Sequence, residues 1–120
     1  MRRIPLKTPM IRLPGQREDT DNVPFSYAAN LIGVINAAAA ERGLPLSEIN
    51  RLLRILGPLE VADAAGAESF LLEDADWQNL KKLVDGFRGW RVVHAVIPAL
   101  VQDIAEAECI ASPSVLSAGA

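Results

Sequence analysis

Four prolines in the first 24 residues, Pro5, Pro9, Pro14 and Pro24, decide what the start of this chain cannot be. Each lacks an amide proton, and each clashes with a helical turn before it. The gaps between them are too short for a useful helix, yet Ile4, Leu6, Met10, Ile11 and Leu13 are apolar. Residues 1–24 therefore read as an extended arm, with at most a short edge strand, that needs a surface to lie on. Pro14-Gly15 marks a turn. The stretch 16–22 has no apolar side chain and reads as an exposed loop.

Charge divides the chain in the same place. Residues 1–17 hold Arg2, Arg3, Lys7, Arg12 and Arg17 and no acid. The overall charge is −3, so the rest of the chain carries −8. A basic arm beside an acidic body can fold back on that body, or reach an acidic protein surface or a phosphate backbone. Folding back, or simple solvation of the arm, is the simplest of these outcomes.

Beyond the arm the pattern turns helical. Ser26 can cap a helix running to Arg42, because its hydroxyl accepts an amide of the first turn. Tyr27, Leu31, Ile35, Ala38 and Arg42 share one face, and Ala37–Ala40 combine helix propensity with a thin profile. Gly43 and Pro45 end it. A second helix starts at Ser47, with Ile49, Leu52, Leu53 and Leu56 as its stripe. Gly57-Pro58 breaks or kinks it, and Leu59–Ala65 resumes as a short turn ending at Gly66. Phe70-Leu71-Leu72 reads as a brief strand that could pair with the arm. The third helix opens on Glu73, Asp74 and Asp76, favourable at the positive end of the helix dipole. It buries Trp77, Leu80, Leu83, Val84 and Phe87. A fourth runs from about Arg91 to Glu108, with Pro98 as an interior kink. Residues 110–120 read as a flexible tail. Fifty per cent hydrophobic residues suffice for one core in 120 residues. The expectation is an all-α four-helix bundle over 25–109, with the extended arm and at most a minor β-ribbon.

Chemistry is sparse. The single His and single Cys exclude an internal disulfide and make a zinc cluster improbable. Placed on one helix, His94 and Cys109 would stand roughly 22 Å apart, too far for a dyad. The acids at 73–76 are explained by their place at a helix start. No glycine loop suited to phosphate is present. The reading is therefore not an enzyme, with no cofactor and no metal. The longest apolar stretches fall short of the ~18 residues of a membrane span, and the first residues do not resemble a secretory signal.

Two binding readings remain. For a protein partner, or for self-association, the candidate residues are Arg2, Arg3, Ile4, Leu6 and Lys7 of the arm, with Trp90. Aromatic residues dominate interface hot spots, and Trp90 follows Gly89 in a connector. The alternative is a nucleic-acid-binding regulator. The helices 26–42 and 47–56 have helix-turn-helix spacing, and Arg51 and Arg54 project from the second. The negative net charge counts against it.

The segments Arg2 to Pro9 (RRIPLKTP), Leu46 to Leu56 (LSEINRLLRIL) and Leu71 to Val84 (LLEDADWQNLKKLV) together resemble small helical accessory proteins of tailed bacteriophages and prophages. About half the chain is covered, and Gly57-Pro58 and the C-terminal tail depart from the pattern. The resemblance implies a protein that works by binding other proteins, as an assembly component or a modulator of a host factor. It would act in the bacterial cytoplasm or in a virion. It assigns no functional residue.

Overall fold

A computed structural model of the chain describes residues 1–12, 23–90 and 94–110. The arm does not lie on a bundle; it runs through the middle of a sheet. Strand β1 (Arg2–Pro5) is antiparallel to β4 (Ser69–Leu72) on one side and to β5 (Glu108–Cys109) on the other, giving the order β4-β1-β5. Arg2 stands opposite both Leu72 and Cys109, and Ile4 opposite Phe70. The pairing of the arm with 70–72 is thus present. A second, two-stranded ribbon joins β2 (Met10–Ile11) to β3 (Val23–Pro24).

The all-α expectation is overturned by these strands: the fold is mixed α and β. Its cause is visible at Pro5. The Leu6 amide donates to the Glu68 carbonyl at 2.8 Å, and the Ile110 amide donates to the Met1 carbonyl at 2.9 Å. Antiparallel alternation then turns residues 2, 4 and 6 toward β4, and 1 and 3 toward β5. Pro5 faces the β5 side, but β5 pairs only with Arg2 and Arg3. Its missing N–H therefore costs the ladder nothing, and a proline that reads as an edge signal sits in a central strand.

Four helices are described, α1 (Tyr27–Arg42), α2 (Leu46–Ala64), α3 (Asp74–Asp85) and α4 (Val96–Ala105); α2 packs on β4 and α4 on β1, while α1 and α3 pack against helices. Ser26 caps α1, its Oγ accepting the Ala29 amide at 3.1 Å. Gly43 and Gly66 take positive φ beyond the ends of α1 and α2, where a Cβ would be strained.

The helix boundaries differ from the sequence reading in α2 and at both ends of α4, which stops at Ala105 and leaves Glu108 to β5. α2 continues through Gly57-Pro58 instead of breaking. Both residues are exposed, so the lost ladder bond falls on the water side while Ile55, Leu59 and Ala62 hold the inner face in the core. α4 begins at Val96, not Arg91, and Pro98 lies in its first turn. The first i→i−4 backbone bond of the helix, from the Ala99 amide to the Ala95 carbonyl at 3.1 Å, comes after it, so Pro98 forfeits no ladder bond and does not act as an interior kink. His94 marks the start, its Nδ1 accepting the Val96 amide at 2.9 Å.

One hydrophobic core unites arm and helices. Ile4, Leu6 and Ile11 are buried with Tyr27, Leu31, Ile55, Leu59, Phe70, Trp77, Leu80, Leu100 and Ile104. The indole of Trp77 donates to the Ile104 carbonyl at 2.8 Å, tying α3 to α4. The expected turn at Pro14-Gly15, the loop at 16–22 and the tail from 111 lie outside the described residues.

Candidate protein-docking groove

On α1, Ala29, Gly33, Ala37 and Ala40 recur at spacings of four, four and three, which aligns them along one helix face. Across from them the chain leaves α3 and turns. Phe87 and Trp90 meet edge to face there, with centroids 5.0 Å apart and planes at 87°. Both rings are half-buried and packed on the core. Gly89 makes the contact possible: a Cβ at that position would stand 2.4 Å from Phe87 Cζ. The small residues and the aromatic pair line an open groove of about 570 Å³, together with Val34 and Ile97. Its lining is mostly apolar, with Asn30 as a polar group. That amide is used within α1, Nδ2 donating to the Ser26 carbonyl at 2.8 Å.

Trp90 therefore sits where a partner could reach it. The arm residues are placed differently. Ile4 is fully buried and Leu6 nearly so, both in the core. Arg2 lays its guanidinium over Trp77, 4.2 Å from the ring centroid. Its Nη1 donates to the Ala107 carbonyl at 3.2 Å, and its Nε lies 3.5 Å from Asp74 Oδ1. Arg3 pairs with Glu108 at 3.2 Å and Lys7 with Asp103 at 3.0 Å. Arg2, Arg3 and Lys7 of the arm are thus folded back onto carboxylates of the acidic body.

The two cations of the nucleic-acid alternative are also engaged. Arg51 pairs with Glu48 one turn earlier, at 2.9 Å. Arg54 Nε lies 3.2 Å from Oδ1 of Asp76, a buried carboxylate at the start of α3. An uncompensated charge would be costly there, so this contact fixes Arg54 to the fold.

A second cleft, of about 610 Å³, follows β1, lined by Arg3, Lys7, Glu68, Asp103, Glu106 and Glu108. Its two cations are the ones already paired across it. Behind it the Tyr27 hydroxyl donates to Asp103 Oδ2 at 2.8 Å. Burial first, then the hydrogen bond and charge of Asp103, push the Tyr27 pKa up to about 12. The phenol stays protonated near neutrality and acts as a donor, not a nucleophile. His94 precedes α4 and Cys109 lies in β5, so the two do not share a helix. Among the described residues no group of three or more His, Cys, Asp and Glu side chains could hold a metal ion. Nor, among them, is any helix long and apolar enough to cross a membrane.

Trp90 was visible in the sequence; its counterpart on α1 was not. A small-residue run has the same composition whether it packs against a neighbour or lines a groove. No known protein family, curated protein or solved structure matches the chain.

Proposed function

We propose that this chain is a non-enzymatic protein-interaction component that takes hold of its partner in the groove between α1 and the Phe87–Trp90 pair. One observation carries the reading: an apolar groove with a row of small residues on one wall and a half-buried aromatic pair on the other. Small residues let a backbone approach closely, and aromatic rings supply contact area at low entropic cost. An amphipathic helix of another protein has the shape and polarity for such a groove. The resemblance to tailed-phage and prophage accessory proteins supports an assembly or host-modulating role in a bacterial cytoplasm or a virion. Nucleic-acid binding stands second, because Arg51 and Arg54 are spent on Glu48 and Asp76.

Gly33 offers a clean test. A Cβ there would meet nothing within 4 Å, so Gly33→Glu has room at its first carbon and places a charge on the α1 wall of the groove. Proteins captured from a bacterial lysate by the wild-type chain and by Gly33→Glu should be compared by quantitative mass spectrometry. A partner retained by the wild type and lost from the variant supports the groove. Identical captures by both proteins would remove it. Capture that collapses with added salt and follows nucleic acid would favour the second reading.

A further inference from the structure

The strand order β4-β1-β5 leaves β4 with a neighbour on one side only. The bond from the Leu6 amide to the Glu68 carbonyl sets the alternation along it. Glu68, Phe70 and Leu72 turn their backbone groups toward β1, and Ser69 and Leu71 turn theirs away. The N–H and C=O groups of Ser69 and Leu71 have no backbone partner among the described residues. Phe70 and Leu72 point into the core, where α2 packs on the strand, while Leu71 on the other face is 39% exposed. A row of open donors and acceptors along an edge is a template for an extended backbone.

From this edge we propose that β4 takes up an extended basic segment of another protein as an added strand, on the side opposite β1. The site shares no residue with the groove of the preceding section and stands without it. Backbone bonds would hold such a segment, and side chains would select it. Charge sets the selection. Glu68 stands immediately before β4 and Glu73 immediately after it. Both are exposed, and neither forms an ion pair among the described residues. Lysine or arginine near either end of an added strand would meet them, and an apolar residue between would lie beside Leu71. The same carboxylates disfavour a second copy, because pairing β4 with β4 gathers Glu68 and Glu73 of both chains along one seam. Residues 111–120 of the chain itself hold no Lys or Arg to answer them.

Leu71→Pro tests the edge selectively. The Leu71 amide faces away from β1, so proline there removes an outward donor and no ladder bond, as Pro5 does on the β5 side of β1. Replacing both Glu68 and Glu73 by Gln removes the charge and leaves every backbone group in place. The probe is a fluorescein-labelled peptide of about nine residues in which lysine alternates with valine, titrated to about 1 mM against the full chain at low salt. Its anisotropy should rise to saturation. The amides of Ser69 and Leu71 should gain protection from hydrogen exchange, while those of Phe70 and Leu72, already bonded to β1, stay as they are.

Leu71→Pro should weaken binding at least about tenfold, and the double glutamine variant about threefold or more. A peptide alternating glutamate with valine should not bind. Circular dichroism reports whether Leu71→Pro is folded; if it is not, the exchange pattern and the glutamine variant decide. Absence of saturable binding by the lysine–valine peptide overturns the proposal. So does binding that survives Leu71→Pro in a folded variant, equal binding of the glutamate peptide, or protection that appears away from Ser69 and Leu71. A chain that dimerises alone in sedimentation, with those same two amides protected, would give the edge to a second copy and overturn it as well.

Discussion

Ile4→Ala tests whether the N-terminal arm is structure or ornament. Ile4 has no exposed surface and sits in the strand between β4 and β5. The substitution removes three carbons, worth about 0.8 kcal/mol each in transfer from water, or about 2.4 kcal/mol. A residual cavity of about 50 Å³ adds about 1 kcal/mol at about 24 cal/mol per Å³. The ladder to β4 holds the backbone there and limits collapse into the space, so the expected loss is about 3–4 kcal/mol. A chain of this length has roughly 6–18 kcal/mol of stability, so the variant stays folded and measurable. Arg3→Ala, next in the strand, is the control. Its bond to Glu108 joins two side chains that are 50% and 64% exposed, and such a pair contributes about 0–1 kcal/mol. Urea titration, followed by far-ultraviolet circular dichroism and tryptophan fluorescence, should show the Ile4→Ala midpoint falling by about 1–2 M with an unchanged slope. A loss below about 1 kcal/mol, or equal losses for the two variants, would show that β1 is not part of the cooperative core.

Trp77→Ala should cost about 3–5 kcal/mol by the same titration, as for other buried large aromatics. Trp77→Phe should cost much less, about 1–2 kcal/mol, because the Ile104 carbonyl it abandons still accepts the Ala107 amide at 3.2 Å. For Tyr27 the folded pKa of about 12 exceeds the ordinary 10, so the unfolded chain gives up its proton first. Its contribution is complete below pH 10 and is lost as pH rises toward 12, on the order of 2 kcal/mol. Alkaline titrations of stability should fall less steeply over that window in Tyr27→Phe than in the wild type; parallel curves would refute the assignment.

Local signals served the helices well where the information is local. Ser26 caps α1 because a hydroxyl three residues before an orphan amide needs no distant partner. Gly43 and Gly66 adopt the left-handed conformation that a side chain would resist. Trp77 follows the helical period into the core. What failed was non-local. The pairing of the arm with 70–72 was legible, but the second neighbour near 108, which makes β1 a central strand, has no mark within the arm. Gly57-Pro58 reads as a break or a kink because propensity charges the full cost of Pro58 to the helix, and the break is absent. Burial of Ile55, Leu59 and Ala62 on both sides of it outweighs that cost. In the groove, Trp90 was legible as an aromatic in a connector, whereas the α1 wall depends on how far the neighbouring chain stands away. The cations offered for binding carry no local mark of their carboxylate partners, which lie in other elements except for Glu48.

The order of strands in the sheet also sets a timetable. β1 emerges first during synthesis, yet its neighbours begin at Ser69 and Glu108. At about 5–20 residues per second, the wait for β5 lasts roughly 5–20 s. For the first part of it, roughly 3–13 s until β4 follows, Ile4 and Leu6 stand beside open backbone donors and acceptors, a template for pairing with a neighbouring nascent chain. Arg2, Arg3 and Lys7 flank them and repel a second copy of the same segment. The arm's positive charge, spent on carboxylates once folding is complete, guards the chain while those carboxylates are still to be made.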